Sequence, residues 1–119
     1  MNRVILTGRL AADPEIRYTK TEKAVAHFSL AVARQFKKGE NSADFIKCIA
    51  WEGLAKVCGE YLKKGRLVAI EGKLQISSYQ DKKGQKRTMT EVIVDNMQML
   101  DNKFFKAANK EEEKELVEV

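Results

Sequence analysis

The sequence predicts an all-β fold, a small five-stranded barrel with one α-helix between the third and fourth strands. Three observations predict it. Apolar and polar residues alternate with a period of two along most of the first hundred residues. One stretch, around residues 54–62, carries the helical period instead. Gly8 and Gly72 fall inside strand patterns, where so few strands must bend sharply to close on themselves.

The first strand runs from Met1 to Leu10, with Val4, Leu6 and Leu10 on one face and Arg3, Thr7 and Arg9 on the other. Gly8 within it points to a bulge or a bend. Ala12-Asp13-Pro14-Glu15 reads as a turn. A second strand spans about Ala24 to Phe36, with Phe28, Leu30 and Val32 on its core face, and Lys38-Gly39-Glu40-Asn41 ends it. The third strand is Asp44 to Trp51. In the helix, Leu54, Val57, Cys58, Tyr61 and Leu62 form a single apolar stripe, so Tyr61 is expected in the core. Lys63 and Lys64 suit its C-terminal dipole and Gly65 a left-handed stop, while no Ser, Thr, Asp or Asn marks its start. The fourth strand points Val68, Ile70, Gly72, Leu74 and Ile76 inward. Asp81 to Arg87 make a basic hairpin tip, and the fifth strand runs from about Thr88 to Met99. Three strands, a helix and two strands is the order of the oligonucleotide-binding barrel, the OB-fold. A ferredoxin-like fold needs a second helix, and a cold-shock barrel is shorter and has none.

Of 119 residues, the barrel takes 1–100 and a short charged tail 101–119. The barrel carries 18 Lys and Arg against 11 Asp and Glu, and the tail 4 against 6. A basic domain suits a polyanion, either nucleic acid or an anionic membrane surface. Cys48 and Cys58 sit in apolar surroundings with a single histidine in the chain, which leaves a zinc site short of ligands. They read as buried thiols of a reducing compartment. No hydrophobic leader and no membrane-length apolar run is visible, so a cytoplasmic protein without metal or cofactor is expected. His27 has no Ser or Cys at a catalytic spacing, and no phosphate-cradling glycine loop occurs, which argues against an enzyme.

The third strand carries the chemistry. Alternation puts Phe45, Lys47, Ile49 and Trp51 on one face and Ile46, Cys48 and Ala50 on the other. Were the aromatic face the core, Lys47 would be a buried ammonium between two rings, which is costly. The small apolar set makes a charge-free core face, so the rings point outward with a lysine between them. Single-stranded nucleic acid fits that arrangement, because every base has a face to stack on an aromatic ring and every phosphate answers a cation. Phe36, beside Lys37 and Lys38, and Tyr79, before a tip bearing Lys82, Lys83, Lys86 and Arg87, repeat the pairing at strand ends. Arg3, Arg9, Lys64 and Lys73 complete the expected basic contacts.

Over residues 1 to about 100 the chain resembles the bacterial single-stranded-DNA-binding protein family. The resemblance rests on Asn2 to Leu10, on Asp13-Pro14-Glu15 with Arg17-Tyr18, on Tyr61 to Gly65, on Ile70 to Leu74, on Thr90-Glu91 and on Met97 to Leu100. It implies a homotetramer that wraps single-stranded DNA in replication, recombination and repair. It also implies that Phe36, Phe45, Trp51 and Tyr79 stack on bases, three of them differing from the tryptophans common in the family. Gln75, Ser77 and Ser78 stand where relatives often carry Lys or Arg. Family members usually continue through a long linker to an acidic tip that recruits replication and repair enzymes. Here Lys110 to Val119 read as a short solvated or helical tail, so recruitment through it is not expected. Two other functions stay open at this point: a dimeric primosome-type accessory protein on the same barrel, and an RNA-binding barrel.

Overall fold

The computed structural model describes residues 1–34 and 42–100. Along the chain come β1 (Val4–Leu10), β2 (Glu15–Tyr18), β3 (Ala24–Ala33), β4 (Ala43–Trp51), α1 (Glu52–Tyr61), β5 (Leu67–Gln80) and β6 (Lys86–Met99). β1 pairs with β5, β5 with β6, β6 with β4 and β4 with β3. The ring closes where β3 meets β1 again, at Arg9↔Ala31 and Leu10↔Leu30. Every pairing is antiparallel except β4–β6, which runs parallel over Lys47↔Glu91, Cys48↔Val92 and Ile49↔Ile93.

This five-strand ring with its helix has the expected order. The addition is β2, which pairs along the outer edge of β3 from Glu15↔His27 to Tyr18↔Ala24. Four residues are too few for alternation to show, and Pro14 just before them has no N–H to give a ladder. A tight turn, with Glu22 N donating to the Thr19 carbonyl at 2.8 Å, holds the hairpin together.

Alternate residues of each ring strand meet inside. Leu10, Phe28, Leu30, Cys48, Ala50, Val68, Ile70, Val92 and Val94 are all buried there, with Ala55 and Cys58 of α1 and Leu62 just after it sealing one end. Both thiols are free, and burial pushes Cys48 up to about 12 and Cys58 up to about 11. They stay protonated at neutral pH and behave as small apolar fillers. Two glycines let the ring close. A Cβ on Gly8 would overlap the Ala31 carbonyl where β1 crosses to β3, although the strand there is regular and not bulged. A Cβ on Gly72 would overlap the Ile93 carbonyl, and here the β5–β6 register does shift, between Glu71 and Gly72. Asn2 extends the β1–β5 ladder with its side-chain amide, donating to the Leu74 carbonyl and accepting from the Leu74 amide, both at 2.9 Å.

Leu74 and Ile76 share the inward phase of Ile70 but are exposed, contrary to the sequence expectation. The β5–β6 hairpin outruns the ring, so among the described residues nothing covers that face at Leu74 and Ile76. Tyr61 is also exposed, at 43%. The helix presses its small residues Ala55 and Cys58 into the ring, which turns Tyr61 to the rim of the buried face. The helix ends at Leu62 in extended backbone without a basic last turn, and Gly65 forms a separate left-handed turn that donates to the Leu10 carbonyl. Its start is abrupt: Glu52, at φ 52°, reverses the chain directly after Trp51. Gly53, next in the helix, has no atom within 4 Å of a Cβ and no left-handed φ. Gly53→Ala should therefore raise stability by about 0.5 kcal/mol, read as a thermal midpoint higher by a few degrees.

Candidate nucleic-acid interface

β4 is held between β3 and β6, so its alternation is fixed on both sides. Cys48 and Ala50 point into the ring, and Phe45, Lys47 and Trp51 point out. Phe45 is 67% exposed and Trp51 43%. Tyr79, near the far end of β5, is exposed as well. These three rings share the outer face with Lys47 and Lys73.

The parallel β4–β6 pairing brings Phe45 and Tyr79 together. Although β6 lies between their strands, both rings line one open cleft of about 300 Å³, with Lys47, Thr88, Met89 and Thr90. A second cleft of about 380 Å³ adjoins it, lined by Glu15, Arg17, His27, Ser29, Lys47 and Glu91 among others. Lys47 borders both. On the same outer face, Val25 lies opposite Trp51, and Ile49 lies between His27 and Ile93. Val25 and Ile49 are each 7% exposed yet stand apart from the interior cluster. The outer face thus has an apolar floor beside Trp51, unmarked in the sequence because it depends on three strands lying together.

The basic residues fall into separate groups. Arg87 belongs to the architecture of the hairpin tip, where its Nε donates to Asp81 Oδ2 at 2.9 Å. The other Asp81 oxygen accepts from the amides of Lys83 and Gln85. The Arg87 hydrogen bond and then the Gln85 amide hold the Asp81 carboxyl below its usual range. Lys82, Lys83 and Lys86 project from this clamped tip. Arg3 pairs with Glu71 and shares with Lys73 and Asp95 a third cleft that no aromatic ring lines. Arg9 donates to the Gly65 carbonyl at 2.9 Å, and the Lys64 amide donates to Asp13 Oδ1, at the helix end of the ring. Lys47, Lys73, Lys82, Lys83 and Lys86 form no ion pair among the described residues. The arginines are engaged by the protein while these lysines face solvent.

Phe36, Lys37 and Lys38 lie outside the described residues. The chain on either side of them is pinned, because Arg34 grips Asp44 through Nε at 2.8 Å and Nη2 at 2.5 Å. Arg17 is the basic residue that sequence reasoning missed. It stands two strands from Trp51 in the same cross-strand row, Arg17–Val25–Trp51, and bonds Glu15 at 3.1 Å. Recognising β2 as a strand would have found it.

An outer face of rings and lysines on a five-strand ring invites comparison with known proteins. Residues 1–100 match the Single-strand binding protein family. The chain belongs to that family. Among curated members of the single-strand binding protein family, Single-stranded DNA-binding protein 1 of Lactococcus lactis subsp. lactis is 46% identical over 104 residues, covering 86% of this chain and 69% of that protein. Single-stranded DNA-binding protein 3 of Listeria innocua is 45% identical over 105 residues, covering 87% and 66%. The Single-stranded DNA-binding protein of Halalkalibacterium halodurans is 46% identical over 103 residues, covering 85% and 61%. The chain thus spans about two thirds of the length of these relatives, and the shared part is the OB-fold.

Proposed function

We propose that this protein binds and protects single-stranded DNA with little regard to sequence, serving replication, recombination and repair. The observation that carries the reading is the outward alternation of Phe45, Lys47 and Trp51 on β4, with Tyr79 brought beside Phe45. Bases stack on Phe45, Trp51 and Tyr79, and phosphates lie against Lys47 and the tip lysines Lys82, Lys83 and Lys86. Each stacked base is worth roughly 1–3 kcal/mol. Lys73, Arg3, Arg9 and Lys64 contribute at the margins, and Arg87 acts chiefly by stiffening the tip. The same proposal extends to Phe36, Lys37 and Lys38, between β3 and β4. The reading needs no cofactor and no catalytic group. It places the protein in the cytoplasm with the nucleoid, as a homotetramer, and assigns residues 101–119 no part in recruiting enzymes. Family membership and the exposed Ile5 on the outer face of β1 support self-association.

Titration with poly-dT tests the reading, because the chain has one tryptophan and it lies on the proposed surface. Strong quenching of Trp51 is expected, with log affinity falling against log salt by about 0.7 per phosphate neutralised. An unquenched Trp51 at saturating DNA would remove that ring from the interface.

A further inference from the structure

His27 is the chain's one histidine. It is half-buried on the outer face of β3, opposite Glu15 of β2 on one side and Ile49 of β4 on the other. Its diagonal neighbours are cations. Arg17 of β2 lies one step along in one direction, opposite Val25, and Lys47 of β4 one step along in the other, opposite Ser29. Arg17, His27 and Lys47 therefore run obliquely across three adjacent strands, with about 7–8 Å from each to the next. All three border the open cleft of about 380 Å³. The line ends at Lys47, between Phe45 and Trp51 on β4.

Charge decides what this line can hold. The same cleft is bordered by Asp13, Glu15 and Glu91, three carboxylates against the two fixed cations Arg17 and Lys47. Asp13 accepts from the Lys64 amide at 2.8 Å, and Glu15 accepts from Arg17 at 3.1 Å. With a neutral imidazole the cleft leans negative and resists a phosphate. With a protonated imidazole the signs balance, and two N–H donors stand between Arg17 and Lys47. Histidine is the side-chain type whose charge changes between pH 5 and 8. A phosphate laid beside the ring favours the charged form. A strand that follows this line therefore takes up a proton as it binds, and its hold tightens as pH falls.

We infer that His27 is a proton-gated phosphate contact, the middle member of an oblique backbone track Arg17–His27–Lys47 that leads a single strand to the rings of β4. The contact is to the sugar-phosphate chain and favours no base. The inference rests on the single-strand reading and adds to it a dependence on pH.

The test is titration of the full chain with poly-dT, read through quenching of Trp51, at several salt concentrations and at about pH 8 and about pH 5.5, within histidine's range. Thymine has no group that titrates in that interval. Affinity should rise by about three- to tenfold at the lower pH. The slope of log affinity against log salt should steepen by about 0.7, the mark of one more phosphate neutralised. His27→Gln should lose both the gain and the steeper slope. His27→Lys should bind at the higher pH about as tightly as the parent does at the lower. Neither change opens the interior, since His27 lies outside the buried cluster. An affinity and a slope that do not move with pH in the unaltered protein would overturn the inference, as would a rise that survives His27→Gln in full. Single-strand binding would stand in both cases. If poly-dT quenches Trp51 at neither pH, the single-strand reading falls and this inference with it.

Discussion

Trp51→Ala should weaken binding of single-stranded DNA by about 1–3 kcal/mol, roughly 5- to 150-fold in Kd, while the protein stays folded. The indole is 43% exposed and caps the outer face of β4, so its loss opens no cavity inside the ring. It does uncover Val25 opposite, which should cost little stability. Because the substitution removes the chain's one tryptophan, affinity has to be read from the anisotropy of a labelled oligonucleotide. Phe45→Ala should act in the same direction. The two losses should not add, since both rings serve one strand. A Trp51→Ala protein that binds as before would mean that the outer face of β4 is not where bases stack.

Gly72→Ala should be among the most damaging single-methyl changes, destabilising the protein by about 3 kcal/mol and lowering the thermal midpoint by roughly 10 °C. The added Cβ would meet the carbonyl of Ile93 and the Cα of Val94, which are backbone atoms and cannot swing aside. Relief requires β5 to move off β6 at the bulge, and Tyr79 rides on the far part of β5. The melt of Gly53→Ala is the natural control, since both add one methyl to a glycine and the expected signs are opposite. A Gly72→Ala protein melting within a degree or two of the parent would show that the strands do not approach so closely in solution.

What the sequence revealed and what it hid follow from the range of the interactions involved. The faces of β4 were readable because Lys47 sits between Phe45 and Trp51 while the other face is uncharged from Ile46 to Ala50, and that is a local contradiction with only one resolution. The closing bend at Gly72 was readable as a glycine inside an apolar alternation. The pairing of Phe45 with Tyr79 was not, because it depends on β4 and β6 running parallel, a contact between segments some forty residues apart. Tyr61 was misjudged by counting large apolar residues in the helix. The close approach was set instead by Ala55 and Cys58, and by Gly59, where a Cβ would press on Ile16. Leu74 and Ile76 keep the inward phase, but phase does not say how far along a hairpin the ring extends. The charge of Arg87 is legible in the sequence, whereas its partner, Asp81, becomes apparent only once the hairpin closes.

The ring of strands is not equally strong all round. One half is the antiparallel set β1, β5 and β6, the other is β2, β3 and β4, and among the described residues two narrow strand seams join them. One seam has two registered pairs, Arg9↔Ala31 and Leu10↔Leu30, and the other has three, from Lys47↔Glu91 to Ile49↔Ile93. Phe45 and Tyr79 stand on opposite sides of the second. A DNA strand lying on both rings, as proposed, would act as a suture across the barrel's own joint, and the energy of gripping it would also resist the parting of the two halves.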